Sequence, residues 1–200
     1  KVMGAYRQRE VFFENIFKEK VSILLGAFSQ IERLPSDTVE QIMEKEKLYQ
    51  DIRRLVSRFQ DVADIWTSVY FDCAIDFDRL QQNLKENDEV WEKLRQETWF
   101  KKAKDITNKK RFFHWDIEFP EIFFEGHQRK ENPGFDCVIG NPPWGSLIDS
   151  NEQEYLKYNY SSIVVRMVDS YMYFVKQALE LSKISGLIGQ IIPNPFLAQV

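Results

Sequence analysis

Two hundred residues, 44% apolar and 29% charged, suffice for one moderate globular domain or two small ones with a true core, and the balance excludes a disordered chain. A formal charge of −4 excludes a chain that grips nucleic acid by bulk positive charge, while leaving room for a local basic face. No apolar run approaches the roughly 20 residues of a membrane-spanning helix, there is no signal-peptide pattern, and two cysteines far apart, Cys73 and Cys137, suggest neither a disulfide framework nor a metal site, which suits a reducing cytoplasm.

From Arg7 to Arg33, Phe13, Phe17, Val21, Leu24, Phe28 and Ile31 recur at spacings of three and four, which predicts an amphipathic helix. Leu34-Pro35-Ser36-Asp37 ends it, with Ser36 or Asp37 placed to cap the next helix. That helix runs from Thr38 to about Tyr70 through Tyr49, Ile52, Val56, Phe59, Ala63, Trp66 and Tyr70, and the matching stripes predict an antiparallel helical hairpin. Arg53, Arg54 and Arg58 lie off the stripe and read as a solvated face rather than a phosphate-binding one. Phe71 to Phe77 is an irregular connection, and Asp78 to Lys104 holds one or two further helices carrying Leu80, Leu84, Trp91, Leu94 and Trp99. Trp66, Trp91 and Trp99 fall at helical spacings and read as core. Residues 1–110 are thus almost all helix.

The character changes at Arg111. The run to Phe124 is dense in aromatics, broken by Pro120 and predicted to be extended; His114 within it reads as a packed histidine rather than a general base. Gly126 to Gly134 is a polar loop. Phe135-Asp136-Cys137-Val138-Ile139-Gly140 follows, a short apolar run predicted to be a strand buried on both faces. At its carboxyl end, where open parallel α/β sheets bind ligands, stand Asn141-Pro142-Pro143-Trp144-Gly145. The polar stretch beyond shows no regular pattern, and its Tyr155, Tyr158 and Tyr160 are candidates to touch a target strand or to pack locally. Val168, Tyr171, Val175, Ala178 and Ser182 mark a helix closed by Gly186 at its C′ position, and Leu187 to Ile192 a second buried strand. Strand, crossover helix and strand form a βαβ unit of a parallel sheet. The chain opens on Lys1 and stops at Val200 just after a strand-like run, so a piece of a larger protein is expected.

Consecutive prolines at 142 and 143 fix two φ angles and remove two donors, leaving a rigid, acceptor-rich tip. An Asn carbonyl and a proline carbonyl can accept both hydrogens of a planar amino group, favouring the pyramidal nitrogen whose lone pair is nucleophilic. The neighbouring indole offers a face for a flat base, a contact worth roughly 1–3 kcal/mol. An exocyclic amine on a heteroaromatic ring is the ligand this turn suits.

The run Phe135 to Gly145 resembles the catalytic motif of S-adenosylmethionine-dependent DNA adenine-N6 methyltransferases. Phe113 to Phe123 before it, Gly186 to Leu197 after it, and Ala63 to Phe71 in the helical part are similar to the large methylases of type IIG restriction-modification enzymes and related phage-defence proteins. The resemblance implies an α/β protein with a helical insertion segment, 1–110, followed by part of a Rossmann-like parallel-sheet methyltransferase core, 111–200. It implies that Asn141 and Pro142, with Pro143, hold the N6 amine of an adenine flipped out of DNA, and that Trp144 stacks on that base. Cytosine-N4 relatives usually begin the motif with Ser, so Asn141 points to adenine. The departures are equally informative. No Gly-x-Gly occurs anywhere, so the residues that hold the S-adenosylmethionine are expected upstream of Lys1 and the chain alone is expected to be inactive. No Glu-x-Lys triplet occurs, so any nuclease centre lies elsewhere, and Pro195 replaces the usual small polar residue of the last loop. Two alternatives stay open: a protein-glutamine N5-methyltransferase, whose target is a planar amide, and a non-catalytic helical interaction module.

Overall fold

The computed structural model describes residues 17, 21–84, 87–145, 148–163 and 169–193. Phe13, Val168 and Pro195 lie outside them. The chain forms two compact units, residues 1–69 with 73–130 and residues 70–72 with 131–200.

The first unit is helical. Helix α1 (21–33) buries Val21 and Leu24, and α2 (Val39–Ser68) sets Ile52 and Val56 against Leu24, the contact a helical hairpin requires. Thr38, one residue beyond the expected Ser36 or Asp37, caps α2: its hydroxyl accepts from the Gln41 amide while the Gln41 side chain accepts from the Thr38 amide. Further along α2, Val62 and Ile65 join Leu80 of α3 (Phe77–Asn83), Trp91 and Leu94 of α4 (Asp88–Leu94) and Phe100 and Ala103 of α5 (Thr98–Lys110) in one apolar cluster. Asp61 and Asp64, one turn apart on α2, are also buried. Asp61 accepts from Arg95 at 2.6 Å and from the Trp91 indole at 3.1 Å; Lys104 reaches Asp64 at 2.6 Å and Asp61 at 3.1 Å. His114 Nε2 completes the network 2.9 Å from Asp64 Oδ1.

The aromatic run 111–124 is not extended. It winds into two single-turn helices, α6 (Trp115–Glu118) and α7 (Pro120–Phe123), because Pro120 cannot continue α6 yet suits the first position of α7. The polar loop beyond is a small hairpin, β1 (Phe124–Glu125) and β2 (Gln128–Arg129), turning at Gly126 with φ +57°.

The second unit holds the predicted parallel pair, β3 (Phe135–Gly140) beside β4 (Ser182–Gln190), with α9 (Ser170–Leu181) packed on both strands. It departs from expectation in three ways. Helix α9 passes directly into β4 at Ser182, so Gly186 is a strand residue and not a helix cap. Phe135 stands opposite Ser182 but Cys137 opposite Leu187, so the intervening residues of β4 bulge; Ser185 turns left-handed at φ +69°, and Asn132 holds the bulge through the Ile184 amide at 2.6 Å. Neither strand is buried on both faces: Ile139 is 80% exposed, Leu187 71%, and Cys137 is also exposed, because two strands and one packed helix leave most of the sheet's apolar area uncovered. The sheet among the described residues is thus a parallel pair and not a complete Rossmann-like core. Gly134 is essential to the pairing: at φ +125° a Cβ there would stand 2.5 Å from the Lys183 backbone nitrogen.

The stretch after the turn, predicted to be irregular, contains α8 (Ser150–Asn159). Asp149 and Glu152 form a reciprocal capping box that starts it.

Candidate functional site

At the end of β3 the Gly140 carbonyl accepts the Ile191 amide at 3.1 Å, the last rung between the strands. The chain then turns through Asn141 to Gly145. Pro142 is buried; Asn141, Pro143 and Trp144 are exposed. The Trp144 indole N–H donates to the Ile191 carbonyl at 3.3 Å, which ties one edge of the ring to the end of β4 while 52% of the residue stays accessible. Gly145, left-handed at φ +59°, donates its amide to Asp169 Oδ1 at 2.8 Å. The Ser170 hydroxyl donates to the Pro143 carbonyl at 2.7 Å. The structure thus brings the four predicted residues into one turn at the carboxyl end of a parallel strand, with a flat accessible indole beside an exposed carboxamide. Such a turn can accept hydrogen bonds from an amine and stack a ring.

Nothing in the sequence marks Asp169 and Ser170 as partners of the turn. Asp-Ser before an apolar helical stripe reads locally as a helix start; that its polar atoms serve a turn 24 residues earlier is a tertiary fact.

The tyrosines behind the turn pack locally. Tyr155 meets Tyr70 edge-on at 5.3 Å and Phe71 at 5.9 Å, and Tyr158 meets Tyr70 at 5.4 Å. Tyr160 meets Tyr173 edge-on, and its hydroxyl donates to the Gln177 side chain. Burial raises the Tyr155 phenol above its ordinary range. Burial, with the charges of Tyr155 and Glu180, pushes Tyr160 up to about 12. At the other end of the sheet Asp136 pairs with Lys183, whose hydrogen bond and charge hold the Asp136 carboxyl below its ordinary range. His114 belongs to the helical unit. Of the arginines, Arg53 and Arg54 are exposed, whereas Arg58 lies over the Trp91 ring at 5.1 Å and pairs with Asp88.

The described residues do not fit a methyl-donor site. Gly186 and Gly189 lie within β4, Gly189 opposite Ile139, and none of the described glycines forms the glycine-rich strand-to-helix turn that would cradle such a ligand. Among the described residues no group of three or more His, Cys, Asp or Glu side chains suits a metal ion, and no helix is long and apolar enough to cross a membrane.

Against known proteins, the sequence pattern of the family described as Eco57I restriction-modification methylase matches residues 17–200. A protein of Methanocaldococcus jannaschii, provisionally named a type II restriction enzyme and methyltransferase, is 36% identical over 84 residues, which are 42% of this chain and 6% of that protein. The chain therefore spans a small part of the length of this curated relative. No solved structure matches.

Proposed function

The chain belongs to the Eco57I restriction-modification methylase family, and from that premise we propose that it carries the catalytic turn of a DNA methyltransferase that transfers a methyl group from S-adenosylmethionine to adenine N6. One observation carries the adenine reading: Asn141, Pro142, Pro143 and Trp144 form a rigid turn at the carboxyl end of β3, with an accessible indole whose edge is already fixed. Asn141 and the Pro142 carbonyl accept the two amine hydrogens, Pro143 stiffens the tip, and Trp144 stacks the flipped base. Catalysis by this chain's residues is positioning and desolvation of the amine, not acid–base chemistry. S-Adenosylmethionine supplies the methyl group, and its site is assigned to residues outside these 200, consistent with the 6% of the relative's length that is matched. Residues 1–110 are read as a helical insertion and 111–200 as part of the catalytic core.

The test is Asn141→Ala in the full-length methylase, assayed with tritiated S-adenosylmethionine on unmethylated duplex DNA of mixed sequence. Methyl incorporation should fall at least about 100-fold with DNA binding kept. Unchanged methylation removes the reading. Methylation of a protein glutamine instead of DNA favours the amide-directed alternative.

A further inference from the structure

We propose that Asp169 and Ser170 are positioning residues for Trp144, fixing the base platform before any base arrives; the inference rests on the reading of the turn given above. Three observations carry it. First, Ser170 Oγ donates to the Pro143 carbonyl at 2.7 Å and Asp169 Oδ1 accepts from the Gly145 amide at 2.8 Å. These two groups belong to the peptide planes on either side of the Trp144 Cα. Holding both planes fixes φ and ψ of Trp144 and therefore the direction of its side chain. The indole bond to the Ile191 carbonyl then fixes the far edge of the ring.

Second, Asp169 does not do what its position invites. It stands at the N-cap of α9 with extended backbone, φ −91° and ψ 150°, yet its side chain caps nothing in its own helix. Thr38, Asp76, Asn87 and Asp149, at the starts of α2, α3, α4 and α8, all cap theirs. The carboxylate of Asp169 is turned instead to the Gly145 amide. Third, Ser170 is only 6% exposed, so its hydroxyl needs a partner, and it finds one in the turn. Two adjacent residues at the start of one helix thus clamp a turn with few other handles: Pro142 and Pro143 have no N–H, which leaves Asn141, Trp144 and Gly145 as its only backbone donors. A platform held this way loses little freedom when a base stacks on it.

The experiment uses the full-length methylase, tritiated S-adenosylmethionine and unmethylated duplex DNA of mixed sequence, with Asn141→Ala run in parallel. Asp169→Ala and Ser170→Ala should each lower kcat about 10-fold or more, leave KM for S-adenosylmethionine within about twofold, and be rescued to within about threefold by Asp169→Asn and Ser170→Thr. In hydrogen exchange, the Gly145 amide should exchange faster in Asp169→Ala while the amides of α9 keep their protection, a change that general loosening does not produce. An unchanged kcat in both alanine forms, or unchanged Gly145 exchange, overturns the proposal. If the alanine forms fail to fold, the conservative pair decides: activity within about threefold of wild type together with a protected Gly145 amide supports it, and any larger loss or an unprotected amide overturns it. Methylation that survives Asn141→Ala overturns the reading of the turn itself. Methylation lost in Asn141→Ala but normal in the Asp169 and Ser170 variants overturns only the positioning role.

Discussion

Trp144 has two separable properties in this fold, a face and an edge. Its face is accessible, and its edge donates to the Ile191 carbonyl. Replacing Trp144 by Phe keeps a face and removes the donor, a loss of about 1 kcal/mol for a single neutral hydrogen bond. Replacing it by Ala removes the face as well, a further ~1–3 kcal/mol of base stacking. In the full-length methylase, kcat/KM for DNA should therefore fall a few-fold in Trp144→Phe and at least another order of magnitude in Trp144→Ala. Equal losses in the two would show that the ring stacks nothing. The place of the turn is readable in the sequence: two prolines restrict the backbone, and the apolar run before them marks a strand end. Asp169 and Ser170 are not, because the hydrogen bonds that matter join residues 24 and 27 positions apart.

Among the elements, the helices with a stripe were legible and those without one were not. Leu24, Ile52 and Val56 sit in one cluster as their spacing demanded. Helix α8 buries no residue completely, so it has no apolar period to detect; its one local mark is the Asp149 and Glu152 box. The run 111–124 is deceptive in sequence because aromatic density suggests strand, while Pro120 at the first position of α7 and the His114 carbonyl, which accepts from the Ile117 and Glu118 amides, favour two short helices.

The polar contacts of the elements carry two predictions. On α5, burial alone would lower the Lys104 pKa, but the Asp64 hydrogen bond and the charges of Asp61 and Asp64 raise it overall. Lys104→Met strands two buried carboxylates. It should destabilise the helical unit by roughly 3 kcal/mol, the low end for a broken buried pair because Arg95 and His114 still face them; urea denaturation followed by circular dichroism measures it. In the other unit, the raised phenol pKa of Tyr160 means the folded state binds that proton more tightly than the unfolded chain. The associated stability is complete below the ordinary value near 10 and declines as pH rises toward about 12. Denaturation midpoints compared at about pH 9 and about pH 11.5 should fall less in Tyr160→Phe than in wild type. Equal declines would remove Tyr160 as the titrating group.

For the whole molecule, the division into units matters more than the boundary at the first aromatic run. The chain leaves the helical unit for three residues, Tyr70 to Asp72, which join the sheet unit, and then returns. Tyr70 and Phe71 pack on Tyr155 and Tyr158, and Asp72 accepts from the Asn151 side chain at 3.0 Å. These contacts lie within the sheet unit and account for the three residues belonging to it. Among its described residues the sheet unit presents the proposed base-binding turn without a glycine-rich cradle for a methyl donor, so the 200 residues produced alone should fold their helices yet transfer no label from tritiated S-adenosylmethionine to DNA. Incorporation above a no-protein control would show that the donor site lies within this chain after all.

The proline pair has one more effect. A parallel ladder grows only while each strand offers donors, and here supply stops on both strands at the same level: Pro142 and Pro143 follow Asn141 on one, and Pro193 follows Ile192 on the other. The Ile191 amide bonded to Gly140 is the last crossbar. Beyond it the three prolines withhold the donors that a longer ladder would need, so among the described residues the pairing of the two strands stops at the level where the turn begins.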